Sequence, residues 1–111
     1  MTATHLSTRA SAQDGVVLDC RGQSEKGLLF DPLRIQMTIQ IAGRQCMVDS
    51  NQTIGGDFSL SASDRSYTCR KVSGVDQQAI NVNRYDGSFY VSQSKWMPAF
   101  RGVCQRGQQQ F

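Results

Sequence analysis

Between Leu33 and Ile41 apolar and polar residues alternate without a break. Leu33, Ile35, Met37, Ile39 and Ile41 form one set, and Arg34, Gln36, Thr38 and Gln40 the other. Successive side chains of a β-strand point to opposite faces, so this segment reads as a strand with one dry face and one wet face. A helix would scatter the same apolar residues around its whole circumference. Pro32 suits the start of such a strand and Gly43 marks its end.

A hairpin is the second strong signal. Ile80 to Tyr85 and Ser88 to Ser92 flank Asp86-Gly87, a pair suited to a two-residue type I′ turn whose central residues both need positive φ. That turn pairs Tyr85 with Ser88, Arg84 with Phe89, Asn83 with Tyr90 and Val82 with Val91. One face then carries Ile80, Val82, Phe89 and Val91, with Arg84 laying its stem over Phe89. The other face carries Asn81, Asn83, Tyr90 and Ser92.

Weaker strand signals surround these two. They cover Val16 to Arg21, Gln45 to Asp49, Phe58 to Ala62, Ser66 to Val72 and Phe100 to Gln105, separated by turn-rich segments such as Ile54-Gly55-Gly56-Asp57 and Ser73-Gly74. Apart from one turn near Ser24 to Leu29, no segment carries a helical apolar stripe. The expectation is an all-β domain: a small antiparallel sandwich or barrel of about seven to eight strands. Its 111 residues suit one domain with one hydrophobic core. We assign residues 15–106 to that domain. Residues 1–14 read as a flexible polar tail, a signal-peptide remnant or residues added for expression, and 107–111 as a short C-terminal tail.

The four cysteines are Cys20, Cys46, Cys69 and Cys104, and no two form a Cys-x-x-Cys pair. Structural zinc sites usually draw thiolates in close pairs from one turn, so this spacing points away from zinc. The sole histidine, His5, lies in the polar tail. An even number of widely spaced cysteines, with Ala10-Ser11-Ala12 resembling the end of a signal peptide, favours two disulfides and a periplasmic or secreted location. Four cysteines allow three connectivities, among which sequence alone does not choose. The pairing taken as the expectation is Cys20 with Cys104 and Cys46 with Cys69. The longer loop so closed would stabilise the fold by roughly 3–4 kcal/mol.

Net charge is +3, and Arg70-Lys71 is the only adjacent basic pair. With no basic stripe interleaved with aromatics, nucleic acid is not an expected partner. No apolar run approaches the roughly 20 residues of a membrane-spanning helix.

The segments Ile80 to Gly87, Phe100-Arg101-Gly102-Val103-Cys104 and the polar tail ending in Phe111, together with Cys20-Arg21-Gly22 early in the chain, resemble a pattern in small exported proteins of proteobacteria whose function is unknown. The resemblance covers about a third of the chain. It implies export and pairing of the first and last cysteines, and it carries no catalytic residue. The additional pair, Cys46 and Cys69, departs from the simpler two-cysteine pattern.

Chemistry-bearing constellations are sparse. Nucleophilic catalysis of the Ser-His-Asp or Cys-His kind needs a positioned histidine, which a tail residue does not supply. Ser94-Lys95 are neighbours on opposite faces of any strand. Most acids, such as Asp57, Asp64 and Asp86, adjoin turn signals and read as turn residues. Asp19 and Asp49 fall at strand ends, with nothing in the sequence to bring them together. Neither a dense calcium loop nor a glycine-rich phosphate loop is present. We therefore expect no catalytic residue, no metal and no cofactor.

Asn81, Asn83, Tyr85, Tyr90 and Trp96 are the candidate binding surface, because tyrosine and tryptophan are large, stiff and partly polar. The segments Ile54 to Phe58 and Lys95 to Phe100 are candidate contact loops. The functional expectation is a non-enzymatic exported domain that binds another protein, of inhibitor or immunity type. A carbohydrate- or lipid-binding envelope protein is the alternative, and a small carboxylate-dependent hydrolase ranks last.

Overall fold

In the computed structural model, residues 15–26, 31–73, 76–93 and 98–107 are described. The N-terminal residues 1–14, most of the C-terminal tail and Trp96 lie outside them. Eight strands follow in order: β1 (Gly15–Ser24), β2 (Leu33–Gln40), β3 (Gln45–Ser50), β4 (Gly56–Ala62), β5 (Ser66–Ser73), β6 (Asp76–Asn83), β7 (Ser88–Ser92) and β8 (Phe100–Arg106). Each pairs antiparallel with the next, and β8 pairs with β1, so the meander closes into a barrel. No helix occurs among the described residues; of the turn expected near Ser24 to Leu29, Ser24 ends β1, Glu25-Lys26 form a simple turn and 27–29 lie outside the described residues.

The barrel forms because alternation puts one apolar set inside. Leu33, Ile35, Met37 and Ile39 of β2 are all buried, and Arg34, Gln36, Thr38 and Gln40 face outward. The same rule buries Leu18 and Cys20 of β1, Cys46 and Val48 of β3, Phe58 and Leu60 of β4, Tyr67 and Cys69 of β5, and Ile80 and Val82 of β6. Phe89, Val91 and Phe100 complete the core. These side chains fill the lumen, as in other small barrels. Polar outside and apolar inside is the inverse of a transmembrane barrel.

Closure depends on two glycines. Gly22 of β1 faces Gly102 of β8, and Phe89 of β7 also pairs with Gly102. A Cβ on Gly22 would come within 2.8 Å of the Phe89 ring, and one on Gly102 would run into the Arg21 carbonyl. The ring thus covers the bare backbone where the first and last strands meet, a device that compensates for glycine in sheets. Cys20-Arg21-Gly22 lies residue for residue against Gly102-Val103-Cys104, and the Cys20–Cys104 disulfide locks that register. The second disulfide, Cys46–Cys69, joins β3 to β5 across the inner face of β4, with a Cα separation of 6.1 Å. The sheet must therefore fold sharply along β4. Both expected pairings are present.

The hairpin register differs from expectation. Ile80 pairs with Val91, Asn81 with Tyr90 and Val82 with Phe89, a shift of two residues from the register a two-residue Asp86-Gly87 turn would impose. The loop has four residues, because Asn83 competes for its backbone. Its side-chain oxygen accepts from the Tyr85 and Asp86 amides, and its carbonyl accepts from the Gly87 amide at 2.9 Å. Asn and Asp side chains build such turns readily. Asp86 then accepts from the Ser88 amide and hydroxyl. Gly87 alone in this loop has a positive φ, 79°. A shift of two leaves every side chain on its expected face, so Ile80, Val82, Phe89 and Val91 are inside as read from the sequence.

Candidate binding surfaces on the outer face and at the barrel mouth

Register aligns a polar row across the outside of the barrel: Thr68, Asn81, Tyr90, Arg101 and Gln23 are successive cross-strand neighbours on β5, β6, β7, β8 and β1. Asn81 donates to the Thr68 hydroxyl at 3.1 Å. The Arg101 guanidinium stacks on the Tyr90 ring, 4.6 Å from its centre, and its Nε donates to Glu25 at 2.6 Å. Glu25 thereby raises the Arg101 pKa above the ordinary guanidinium value, mainly by that hydrogen bond and then by charge attraction. One row over on β8, Val103 is 55% exposed, and Tyr85 is 74% exposed in the loop joining β6 to β7.

Of the five residues proposed from sequence, Asn81 and Tyr90 are direct neighbours on this face. Asn83 caps the hairpin loop instead of adding to a flat polar surface. Tyr85 is carried on the loop, and Trp96 lies outside the described residues. Arg101 and Val103 were missed, because nothing in a single strand reveals which residues of a distant strand it will lie beside. Arg84 does not cover Phe89. It stacks on Tyr67 at 4.6 Å and donates to the Ser63 carbonyl, because the four-residue loop carries it toward the β4–β5 connection.

The candidate loop from Ile54 to Phe58 is also corrected. Ile54 and Phe58 are both in the core, and only Gly55, Gly56 and Asp57 reach the surface. Ser50 anchors this turn: its hydroxyl donates to the Ile54 carbonyl and accepts from the Gln52 amide. In the second candidate loop Pro98 and Phe100 are buried, and residues 94–97 lie outside the described set.

Carboxylates do converge more than the sequence indicated. Asp19 and Asp49 flank Gln36 from opposite sides on the outer surface, and Gln36 donates to Asp19 at 3.5 Å. Asp49 and Asp57 line one shallow depression with Gln36, Thr38 and Met47. No cluster of three or more metal-ligating side chains occurs among the described residues.

The two ends of the barrel differ. At one end, Lys71 turns inward from β5 and donates to the Gly55 carbonyl at 2.7 Å, with its ammonium 5.6 Å from the Phe58 ring centre. At the other end, here called the mouth, β1 begins, β8 ends, and the loops 41–44, 63–65 and 84–87 converge. Backbone bonds lace this end together: Arg84 N to Arg65 O, Cys104 N to Gly87 O, and Gly107 N to Val17 O. Within it is a pocket of about 190 Å³, with Val16, Leu18, Tyr67 and Val82 below and Arg84 and Arg106 at its rim.

Compared with models of known protein families, with characterised proteins and with solved structures, the chain matches none.

Proposed function

We propose that this chain is an exported, non-enzymatic domain that binds another protein, in the manner of an inhibitor or immunity protein, through the outer face of β6, β7 and β8. The observation that carries this reading is the make-up of that face. Tyr90 and Arg101 are stacked and fixed by Glu25, with Asn81 beside them and exposed Val103 and Tyr85 at their edge. Tyrosine and arginine are enriched where binding energy concentrates, and side chains already held in place lose little freedom on binding. Two disulfides in a domain of this size accord with an oxidising compartment, which supports the periplasmic or secreted location read from the sequence.

A glycan platform is the less favoured reading. The Tyr90 ring already carries Arg101 on its face, and the Asn81 amide is tied to Thr68. A lipid within the barrel would have to displace the core side chains that fill it.

The test is affinity capture from envelope and culture extracts with the oxidised, tagged protein and with Val103→Asp, which alters an exposed side chain. A stoichiometric partner retained by the parent and lost with Val103→Asp supports the reading. A partner equally retained by Val103→Asp and by Tyr90→Ala moves the interface elsewhere. Repeated capture of no protein at low salt refutes protein binding.

A further inference from the structure

The two disulfides sit in unlike surroundings. Cys46 and Cys69 are both 0% exposed, and their bond runs beneath β4 from β3 to β5, so a thiol reaches it only when the middle of the sheet comes apart. Cys20–Cys104 joins the first strand to the last. Cys20 is buried, but Cys104 is half-buried and borders the open depression at the mouth. Disulfides that a thiol can approach are the labile and regulatory ones.

Little else holds this seam. Phe100 is the one buried residue of β8; Arg101, Val103, Gln105 and Arg106 are exposed, and Gly102 has no side chain. β2, by contrast, buries four apolar side chains. Beyond Phe100, β8 is fastened to β1 by backbone pairing, by the Arg101–Glu25 ion pair and by the disulfide. Local stability follows buried apolar contact, so β8 belongs to the part of the barrel that opens first. We propose that Cys20–Cys104 is a redox latch: a dithiol reduces it in the folded protein while Cys46–Cys69 stays oxidised, and β8 then parts from β1.

The exchange balances with the dithiol as reductant. One of its thiolates attacks Cys104 Sγ and forms a mixed disulfide. The Cys20–Cys104 bond breaks with its electron pair on Cys20 Sγ, which takes up a proton. The second thiolate attacks the reductant's own sulfur in the mixed disulfide, so that the reductant's disulfide forms and Cys104 leaves, to be protonated in turn. Parting of the seam separates Glu25 from Arg101 and undoes the Tyr90–Arg101–Glu25 group. On the reading of that group as part of a partner-binding face, the latch governs binding.

The probe is dithiothreitol, added to the full oxidised chain without denaturant, with alkylation at intervals and peptide mass mapping. A species alkylated at Cys20 and Cys104 alone should form at least about tenfold faster than any species alkylated at Cys46 or Cys69. In urea above the unfolding midpoint the difference should shrink to less than about threefold, because it belongs to the fold. In the two-thiol species, β8 and β1 amides should exchange at least about tenfold faster than in the oxidised protein. Removal of dithiothreitol and addition of oxidised glutathione should restore slow exchange. The proposal is overturned if Cys46–Cys69 is reduced first or at the same rate, if neither bond is reduced in the folded protein, or if the preference persists undiminished in urea. It is overturned equally if the seam amides of the two-thiol species exchange as slowly as before, or stay fast after reoxidation. None of these readouts involves a partner, so the latch and the partner-binding reading stand or fall separately.

Discussion

Gly102 has no room for a methyl group. Its Cβ would overlap the Arg21 carbonyl across the closing pair of strands, and rigid backbone cannot move aside as a side-chain tip can. Gly102→Ala should therefore cost about 3 kcal/mol or prevent closure, whereas Gly43→Ala, whose Cβ meets nothing nearer than 3.9 Å, should change stability by less than about 0.5 kcal/mol. Denaturant midpoints of the two variants check this. Asp86 makes a second prediction at this scale. The Ser88 amide hydrogen bond, and then the Ser88 hydroxyl, hold its carboxyl below the ordinary value of 3.8. A folded-state pKa lowered in this way stabilises the fold above the unfolded-state value, and the contribution is lost as pH falls through the folded one. Any advantage of the parent over Asp86→Asn at neutral pH should therefore shrink as pH drops below about 4. Thermal melts of both proteins across that range would show it.

At the scale of the element, β2 was readable outright and the β6–β7 hairpin only in part. Strict alternation fixes both the existence of a strand and its faces: Leu33, Ile35, Met37 and Ile39 are buried as expected, whereas Ile41, read as the last of that set, lies in the turn after Gln40 and is exposed. The hairpin's faces were legible for the same reason. Its register was not, since it hangs on whether Asp86-Gly87 alone turns the chain or Asn83 joins in, and Asn83 does so through its own side chain. β6 also begins four residues earlier than read, at Asp76, because Gln77, Gln78 and Ala79 carry no apolar alternation and are strand by virtue of pairing with β5. The candidate face was legible as far as Asn81 and Tyr90. Arg101 and Val103 join it only through β7–β8 pairing, which local pattern does not encode. The disulfides belong here as well. Cys46–Cys69 closes a separation of 23 residues and Cys20–Cys104 one of 84. Chain entropy assigns them about 3.4 and about 4.6 kcal/mol respectively. Replacing Cys46 and Cys69 by alanine should cost less in urea midpoint than replacing Cys20 and Cys104.

Across the whole molecule, a closed sheet has no free edge, so every strand is protected on both sides. Loss of the Cys20–Cys104 bond should act first at the seam. Native-state hydrogen exchange of the double alanine variant is expected to quicken at β8 and β1 amides while β2 and β3 remain slow. Uniform acceleration in all strands would instead mean that the barrel opens only as a unit. The filled lumen makes a further prediction: a fluorescent fatty acid should show no saturable binding to the native protein, because its chain has nowhere to go without expelling Ile80, Val91 or Phe100.

The mirrored contact of Cys20-Arg21-Gly22 with Gly102-Val103-Cys104 makes the last pairing equivalent to the other seven, all antiparallel between neighbours. A ring of that kind has no privileged starting strand. Gly107 already bonds to Val17, so a short linker from there to Gly15 would turn the seam into one more hairpin. A circular permutant opened between Asp64 and Arg65, in an exposed loop, should fold to the same barrel with both disulfides intact.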